Sequence, residues 1–329
     1  MLALGWYCPS EGDGRWLGTR QPERAPEIAY LASVAQAAED AGAQEILIPT
    51  GSVNDSFAPD ARLMESWTTA SALATMTRRI RLLVAVNPAA LRPELAAHQA
   101  QTLWSIAPER IAINLVAGGG PDAGYGAPPL DHDQRYARLG ELADALHERF
   151  PGALYLGGAS EAAKALAARV ADTYLMWGEP PDRIGERIRE MRERAAGRPL
   201  RFGLRIHLIA RSGSAEAIEA ARQLVSKAEV AGDRASEYEE FDSEGQARMN
   251  AMPADDEGWV SPGLWAGIRA VRAGAGTALV GSPGRVAALL DEYHTAGVDL
   301  VIASGYPHLE EVTRVGRRVW PRLTARAIA

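Results

Sequence analysis

Two basic side chains stand two residues apart in an otherwise apolar run: Arg205 and His207 in Phe202-Gly-Leu-Arg-Ile-His-Leu-Ile-Ala210. Strand side chains alternate between faces, so Arg205, His207 and Ile209 share one side and Leu204, Ile206 and Leu208 the other. The flanking elements are apolar enough to cover both faces. A guanidinium stays ionised, and desolvating it is costly unless an anion or a carboxylate meets it. The run therefore predicts either a pocket for an anionic ligand or an internal ion pair beside a satisfied core histidine.

Other stretches carry related chemistry. In Leu156-Gly-Gly-Ala-Ser160 a strand end, the glycines Gly157 and Gly158, Ala159 and a capping Ser160 precede a helix. Glycines let the backbone approach an anion, and the free N–H groups of a helix start receive a phosphate; the same letters also make an ordinary capped turn. Tyr136, in the first turn of another helix, is within reach of such a phosphate or is simply solvated. Val271-Arg-Ala-Gly-Ala-Gly-Thr-Ala-Leu-Val-Gly281 has the composition of a phosphate loop without the lysine and spacing of a P-loop. It reads as a tight bend, with Arg272 either at the surface or facing a ligand. Tyr306 and His308 follow the last apolar run, but no G-x-S-x-G elbow accompanies them. The six histidines are scattered with no H-x-x-x-H pair, and the lone Cys8 rules out a cysteine metal site or a disulfide framework. No metal is expected. With neither a metal nor a covalent nucleophile in view, reactivity is expected to come from a bound cofactor.

The elements that position these groups repeat. Apolar strands are predicted at 2–7, 45–50, 80–86, 110–116, 153–156, 173–177, 202–210 and 300–303. Helices at 26–41, 66–76, 93–105, 133–149, after Ser160, at 181–196 and from near Ser214 separate them. A polar segment follows from 231 to 262. Then come a helix at 264–271, a short strand at 278–280, a helix at 283–296 and a C-terminal helix. Eight nearly continuous apolar strands alternating with helices predict an α/β fold, a (β/α)8 TIM barrel spanning 1–329 as one domain with insertions at its C-terminal face. A doubly wound sheet is the rival, but the first strand empties into Glu11-Gly-Asp-Gly14 rather than G-x-G-x-x-G. A barrel gathers its site at the strand C-terminal ends, where Glu11, Asp13, Asn87, Asn114, Trp177, Arg205, His207, Tyr306 and His308 all fall.

A net charge of −7 with no basic stripe argues against a nucleic-acid partner and for a small anionic one. No apolar run reaches transmembrane length and no signal-like start is present, so no membrane partner is expected. The single cysteine fits a reducing compartment, and the cytoplasm is the expected location.

Taken together, several blocks resemble one family, the bacterial luciferase-like flavin monooxygenases, and within it the reduced-FMN-dependent alkanesulfonate and methanesulfonate monooxygenases. The matching blocks are Glu11-Gly-Asp-Gly14 with Leu17-Gly-Thr19, Ile48-Pro-Thr-Gly51, Trp177-Gly-Glu-Pro180, Phe202 to His207, Leu264-Trp-Ala-Gly267, Arg272 to Gly281 and Ser304-Gly-Tyr-Pro-His-Leu-Glu-Glu311, in family order. The resemblance implies FMN, taken as FMNH2 from a separate NAD(P)H-dependent flavin reductase, with O2 as co-substrate. The implied reaction turns a small organosulfonate into an aldehyde and sulfite, and the implied assembly is a homo-oligomer, dimer or tetramer. It implies catalytic roles for Arg205, His207, Arg272, Tyr306 and His308, with a histidine moving a proton. It also implies cofactor contacts from Trp177, Tyr136, Asn114 and the Gly157–Ser160 turn, and a lid at about 229–262. Three departures fall on the substrate side, where Glu11 and Asn87 are expected. Glu11 stands where the family has histidine, the 52–64 loop is longer and lacks a cysteine, and an insertion is missing near Glu148–Gly152.

Overall fold

The computed structural model describes residues 1–88, 91–118, 130–229 and 243–326. Eight parallel strands close into a barrel: β1 (Ala3–Tyr7), β2 (Glu45–Ile48), β3 (Arg81–Val86), β4 (Ile111–Leu115), β5 (Leu154–Gly157), β6 (Thr173–Trp177), β7 (Arg201–Ala210) and β11 (Leu300–Ser304). Closure is made by β11, which pairs with β1 on one edge and with β7 on the other. Around them run α1 (Ile28–Asp40), α2 (Ser66–Met76), α3 (Pro93–Ile106), α4 (His132–Arg149), α5 (Glu161–Val170), α6 (Pro181–Arg194), α7 (Ser214–Val225), α8 (Glu244–Asn250), α9 (Pro283–Thr295), α10 (His308–Arg318) and α11 (Trp320–Arg326). The strands are buried on both faces, which is why their sequences are apolar throughout rather than alternating. No described helix is long and apolar enough to cross a membrane.

The two faces of each strand feed two separate cores. Outward residues such as Leu4, Ile46, Leu82, Ile113 and Leu204 pack against the helices. Inward residues, including Tyr7, Leu47, Leu83, Ala85, Ala112, Tyr155 and Ile302, fill the barrel as a packed plug. Glu45 on β2 and Tyr155 on β5 belong to strands that are not neighbours, yet the tyrosine hydroxyl donates to the carboxylate at 2.9 Å across the interior. Burial raises the Glu45 carboxyl above its ordinary value, and Tyr155 and Arg81 pull the other way.

The strand β7 has ten residues and two successive partners on one flank. Thr173–Trp177 pair with Arg201–Arg205, and where β6 ends, β10 (Ala278–Gly281) continues the ladder against His207–Ala210. Consecutive backbone bonds mark the handover, Gly178 N–H to Arg205 O and His207 N–H to Thr277 O. The Thr277 hydroxyl also donates to Gly178 O at 2.8 Å. This handover brings the bend at 272–276 over the barrel mouth.

The helix predicted at 264–271 is not formed. Leu264–Trp265 is a short strand, β9, antiparallel to β10 and to β8 (Trp259–Ser261), and a 3-10 turn covers Gly267–Ala270. Eight residues of apolar spacing fit a helix and a strand alike, and the partner strands decide the outcome. The single C-terminal helix predicted is two, α10 and α11. Of the insertion at about 229–262, residues 230–242 lie outside the described residues. The remainder holds α8 and β8, and α8 is fastened over the mouth: the Gln246 side-chain Oε1 accepts from Gly274 N–H at 2.8 Å, and Arg248 pairs with Glu179 at 3.0 Å.

Candidate active site

The inward side chains at the strand C-terminal ends form one connected polar group. On β7, Arg205 and His207 share the inward face, as the alternation requires, and both are buried. Arg205 Nη1 donates to the Ser304 hydroxyl at 2.9 Å and to Ile206 O at 3.2 Å. Its guanidinium carbon lies 4.3 Å from the centre of the Tyr7 ring, a cation–π distance. Burial, together with the like charge of Arg272, lowers Arg205 to about 10, still a cation at neutral pH.

His207 is engaged at both ring nitrogens. Nε2 lies 2.9 Å from Ala275 O and Nδ1 2.7 Å from the Ser304 hydroxyl. A carbonyl only accepts, so Nε2 carries the proton, Nδ1 accepts from Ser304, and Ser304 in turn accepts from Arg205. Burial, reinforced by the charges of Arg205 and Arg272, holds the ring well below its ordinary value, so it is neutral. The histidine is a strut between β11 and the 272–276 bend. His308 is also buried and neutral for the same causes; it sits among Trp6, Tyr7 and Tyr306, and its Nδ1 has no hydrogen-bond partner among the described residues.

Arg272 reaches the same group from the bend. It donates to the Tyr306 hydroxyl at 3.0 Å and to Ala273 O at 3.2 Å, and Nη2 lies 3.7 Å from Glu11 Oε2. Burial pulls its value down, but Tyr306, Glu11 and Tyr7 outweigh that and hold the guanidinium well above its ordinary value. Burial raises the Tyr306 hydroxyl, which keeps its proton at neutral pH. Glu11 is buried beneath the 54–57 turn, where the Ser56 hydroxyl donates to its carboxylate and Asn54 Nδ2 to its backbone oxygen at 2.7 Å.

The cavity above these residues has two lobes that share Leu47, Val116, Trp177 and Arg205 as lining. One lobe, of about 290 Å³, is lined by Tyr7, Glu11, Asn87, Arg205, Arg272 and Ala275. The other, of about 210 Å³, is lined by Asn114, Tyr136, Gly157, Gly158, Ala159 and Arg187. Together they fall in the range of cofactor pockets, about 300–1,000 Å³. A larger cavity of about 630 Å³ touches His207 and Tyr306 between α7, α10 and the 15–24 loop, but its arginines are paired with its own glutamates. Arg205 and Arg272, both buried and with no carboxylate at hydrogen-bond distance among the described residues, line the two-lobed cavity instead.

The second lobe fits a flat cofactor with a terminal phosphate on three observations. Asn114 Oδ1 is buried with no hydrogen-bond partner among the described residues, an acceptor that a ring N–H donor would satisfy. A Cβ at Gly157 would meet Leu175 O at 2.8 Å, and one at Gly158, where φ is +145°, would meet Ala163 Cβ at 2.6 Å and the Tyr136 hydroxyl at 3.2 Å, so the turn is open to an anion only as glycine. The Ser160 hydroxyl caps α5 by accepting from Ala163 N–H, leaving the other N–H groups of the first turn for that anion. At the same end, Arg187 and Arg248 share the carboxylate of Glu179 at 2.7 and 3.0 Å, three residues that sequence alone did not single out. Ser304 and Tyr7 were also missed, although each ends a strand at inward parity, the one signal that reveals them. Ser160, His207, Tyr306 and His308 do not line the two-lobed cavity; His207 and Tyr306 line the larger neighbouring one.

Below the mouth, buried Asp13 accepts from the Tyr30 hydroxyl, from His308 N–H at 2.7 Å and from Gly14 N–H at 2.8 Å. Burial lifts its carboxyl to about 7 against the pull of these bonds. A carboxyl raised above its unfolded value of about 3.9 binds protons more tightly in the folded state. Its contribution to stability is complete below about pH 4 and is lost as pH rises through 7. Urea unfolding across this window should show the loss, and Asp13→Asn should flatten it. An identical pH slope in the variant would remove Asp13 as its source.

No group of three or more potential ligands able to hold a metal occurs among the described residues. Among solved structures, riboflavin lyase (RcaE) with modified FMN and riboflavin is 17% identical with a TM-score of 0.77, covering 100% of this chain and 92% of that one. EDTA monooxygenase (EmoA) from Chelativorans sp. BNC1 is 16% identical with a TM-score of 0.77, covering 99% and 94%. An F420-dependent secondary alcohol dehydrogenase with an F420-acetone adduct is 12% identical with a TM-score of 0.69, covering 98% and 99%. At such identities the likeness speaks for the barrel alone. The family model described as luciferase-like monooxygenase matches residues 2–300, nearly the whole chain, so this protein belongs to the luciferase-like monooxygenase family.

Proposed function

We propose that the protein is a two-component monooxygenase that takes FMNH2 from a separate NAD(P)H-dependent flavin reductase and oxidises a small organosulfonate. The observation that carries this reading is the convergence of two buried guanidiniums, Arg205 and Arg272, on a cavity whose other lobe ends in the Gly157–Ala159 turn. With Glu11 as the buried carboxylate of the first lobe, the buried charges there sum to +1, which matches a sulfonate monoanion.

Reduced flavin, when bound, supplies the electrons that activate dioxygen. One oxygen atom ends on the carbon that carried sulfur, giving the aldehyde, and the other leaves as water. The carbon–sulfur bond breaks and sulfite departs. In this scheme Arg205 binds and orients the sulfonate through charge-assisted hydrogen bonds. Arg272, which lines the substrate lobe, is held in place by its hydrogen bond to the Tyr306 hydroxyl behind it. Trp177 and α8 exclude water from the junction of the lobes. Asn114, Tyr136 and the glycine turn hold the cofactor.

Supplied with reduced FMN and a panel of alkanesulfonates, the protein is expected to consume oxygen and release sulfite. Oxygen uptake coupled to another substrate, with no sulfite from any sulfonate, would support a second reading. That reading is a luciferase-like monooxygenase for a non-sulfonate substrate, favoured by the carboxylate of Glu11 inside the lobe. Tighter binding of F420 than of FMN, with hydride transfer and no oxygen uptake, would overturn both.

A further inference from the structure

The two arginines of the substrate lobe are not equivalent. Arg272 has its donors committed: Nη1 to Tyr306, Nε to Ala273 O, and Nη2 facing the Glu11 carboxylate at 3.7 Å. Both members of that pair are buried, so their attraction is weakly screened by solvent. Glu11 is fixed there by its own scaffold. Asn54 Oδ1 accepts from Ser56 N–H at 3.0 Å and Phe57 N–H at 2.8 Å, which sets the turn that presents the Ser56 hydroxyl to the Glu11 carboxylate.

Arg205 has no carboxylate within ion-pair distance among the described residues. Both its hydrogen bonds run through Nη1 to neutral oxygens, leaving Nε and Nη2 with no acceptor among those residues. Asp55, the other acid lining this lobe, is half-buried and has a partner of its own. Removing a cation from water without an anion is unfavourable, so this guanidinium is built to receive one from outside the chain.

We propose that Glu11 sets the charge of the substrate: by neutralising Arg272 it leaves Arg205 as the single uncompensated guanidinium, so the lobe selects a singly charged oxyanion over a doubly charged one. This rests on the reading that the lobe takes an anionic substrate. A monoanion brings the buried charge to zero. A dianion leaves one negative charge unmatched beside the buried Glu11–Arg272 pair. The selected class is sulfonates, sulfate monoesters and carboxylates, not phosphonates or inorganic sulfate.

The test is direct binding of methanesulfonate and of inorganic sulfate to the full chain, by titration calorimetry at fixed ionic strength and pH 8, with FMNH2-driven oxygen uptake followed in parallel. The wild type is expected to prefer methanesulfonate about tenfold. In Glu11→Gln, which keeps an acceptor for Ser56, sulfate should tighten by about tenfold and methanesulfonate by much less. Equal or tighter binding of sulfate by the wild type, no measurable binding of either ion, or an unchanged ratio in the variant would each overturn the proposal. The wild-type ratio decides alone if the variant does not fold. Lack of oxygen uptake counts against the oxygenase reading and leaves the ion preference to stand or fall by itself.

Discussion

Replacing Arg205 by methionine is expected to lower kcat/KM for the organosulfonate by about a hundred- to a thousandfold, with much less change in the Kd for FMN. Removing one preorganised donor to a reacting oxyanion typically costs this much, about 2.7–4 kcal/mol. The variant also leaves the Ser304 hydroxyl without its donor and strips the cation from the Tyr7 ring. Arg205→Lys should recover only part of the loss. A compact ammonium cannot meet Ser304, Ile206 O and the substrate at once as a planar fork does. Steady-state sulfite release against substrate concentration measures the effect. A loss below about fivefold in the methionine variant would mean that the anion is held elsewhere.

Gly158→Val should weaken FMN by about a hundredfold while weakening riboflavin far less. A valine there is strained by the backbone at φ +145° and drives its Cβ into Ala163 and the Tyr136 hydroxyl. A turn that shifts to relieve this overpacking moves the backbone that faces the phosphate, and a hundredfold loss corresponds to about 2.7 kcal/mol. With the turn as the proposed phosphate end of the cavity, the penalty should follow the phosphate. Fluorescence quenching of both flavins separates the outcomes, and equal losses would move the phosphate away from this turn.

Much of the architecture was legible because barrel strands are short, apolar and regularly spaced. Each of the eight appears within a few residues of its predicted span, and parity along β7 placed Arg205 and His207 on one face. What local pattern could not carry was long-range pairing. That β10 continues the edge left by β6 depends on four residues, Ala278–Gly281, finding a partner seventy positions away, and only this pairing brings Arg272 to the site. The helix expected at 264–271 failed for the same reason: its residues had partner strands that no window could contain. Glu11 was recognisable as a departure, but its engagement with Arg272 and Ser56 is a tertiary fact. The shared carboxylate of Glu179 was invisible because Arg187 and Arg248 look like solvated helix charges until the chain folds.

The excursion between β7 and β10 leaves and returns to the same strand, with Arg211 N–H on Gly281 O at one end and His207 N–H on Thr277 O at the other. The two ends of the excursion are therefore fixed by a single ladder, and within the 66 residues between Arg205 and Arg272 the hydrogen bond from Gly274 N–H to Gln246 ties α8 to the bend. Substrate range can drift by rewriting the rest of that stretch, lengthening or trimming it, while the ladder keeps both ends in register.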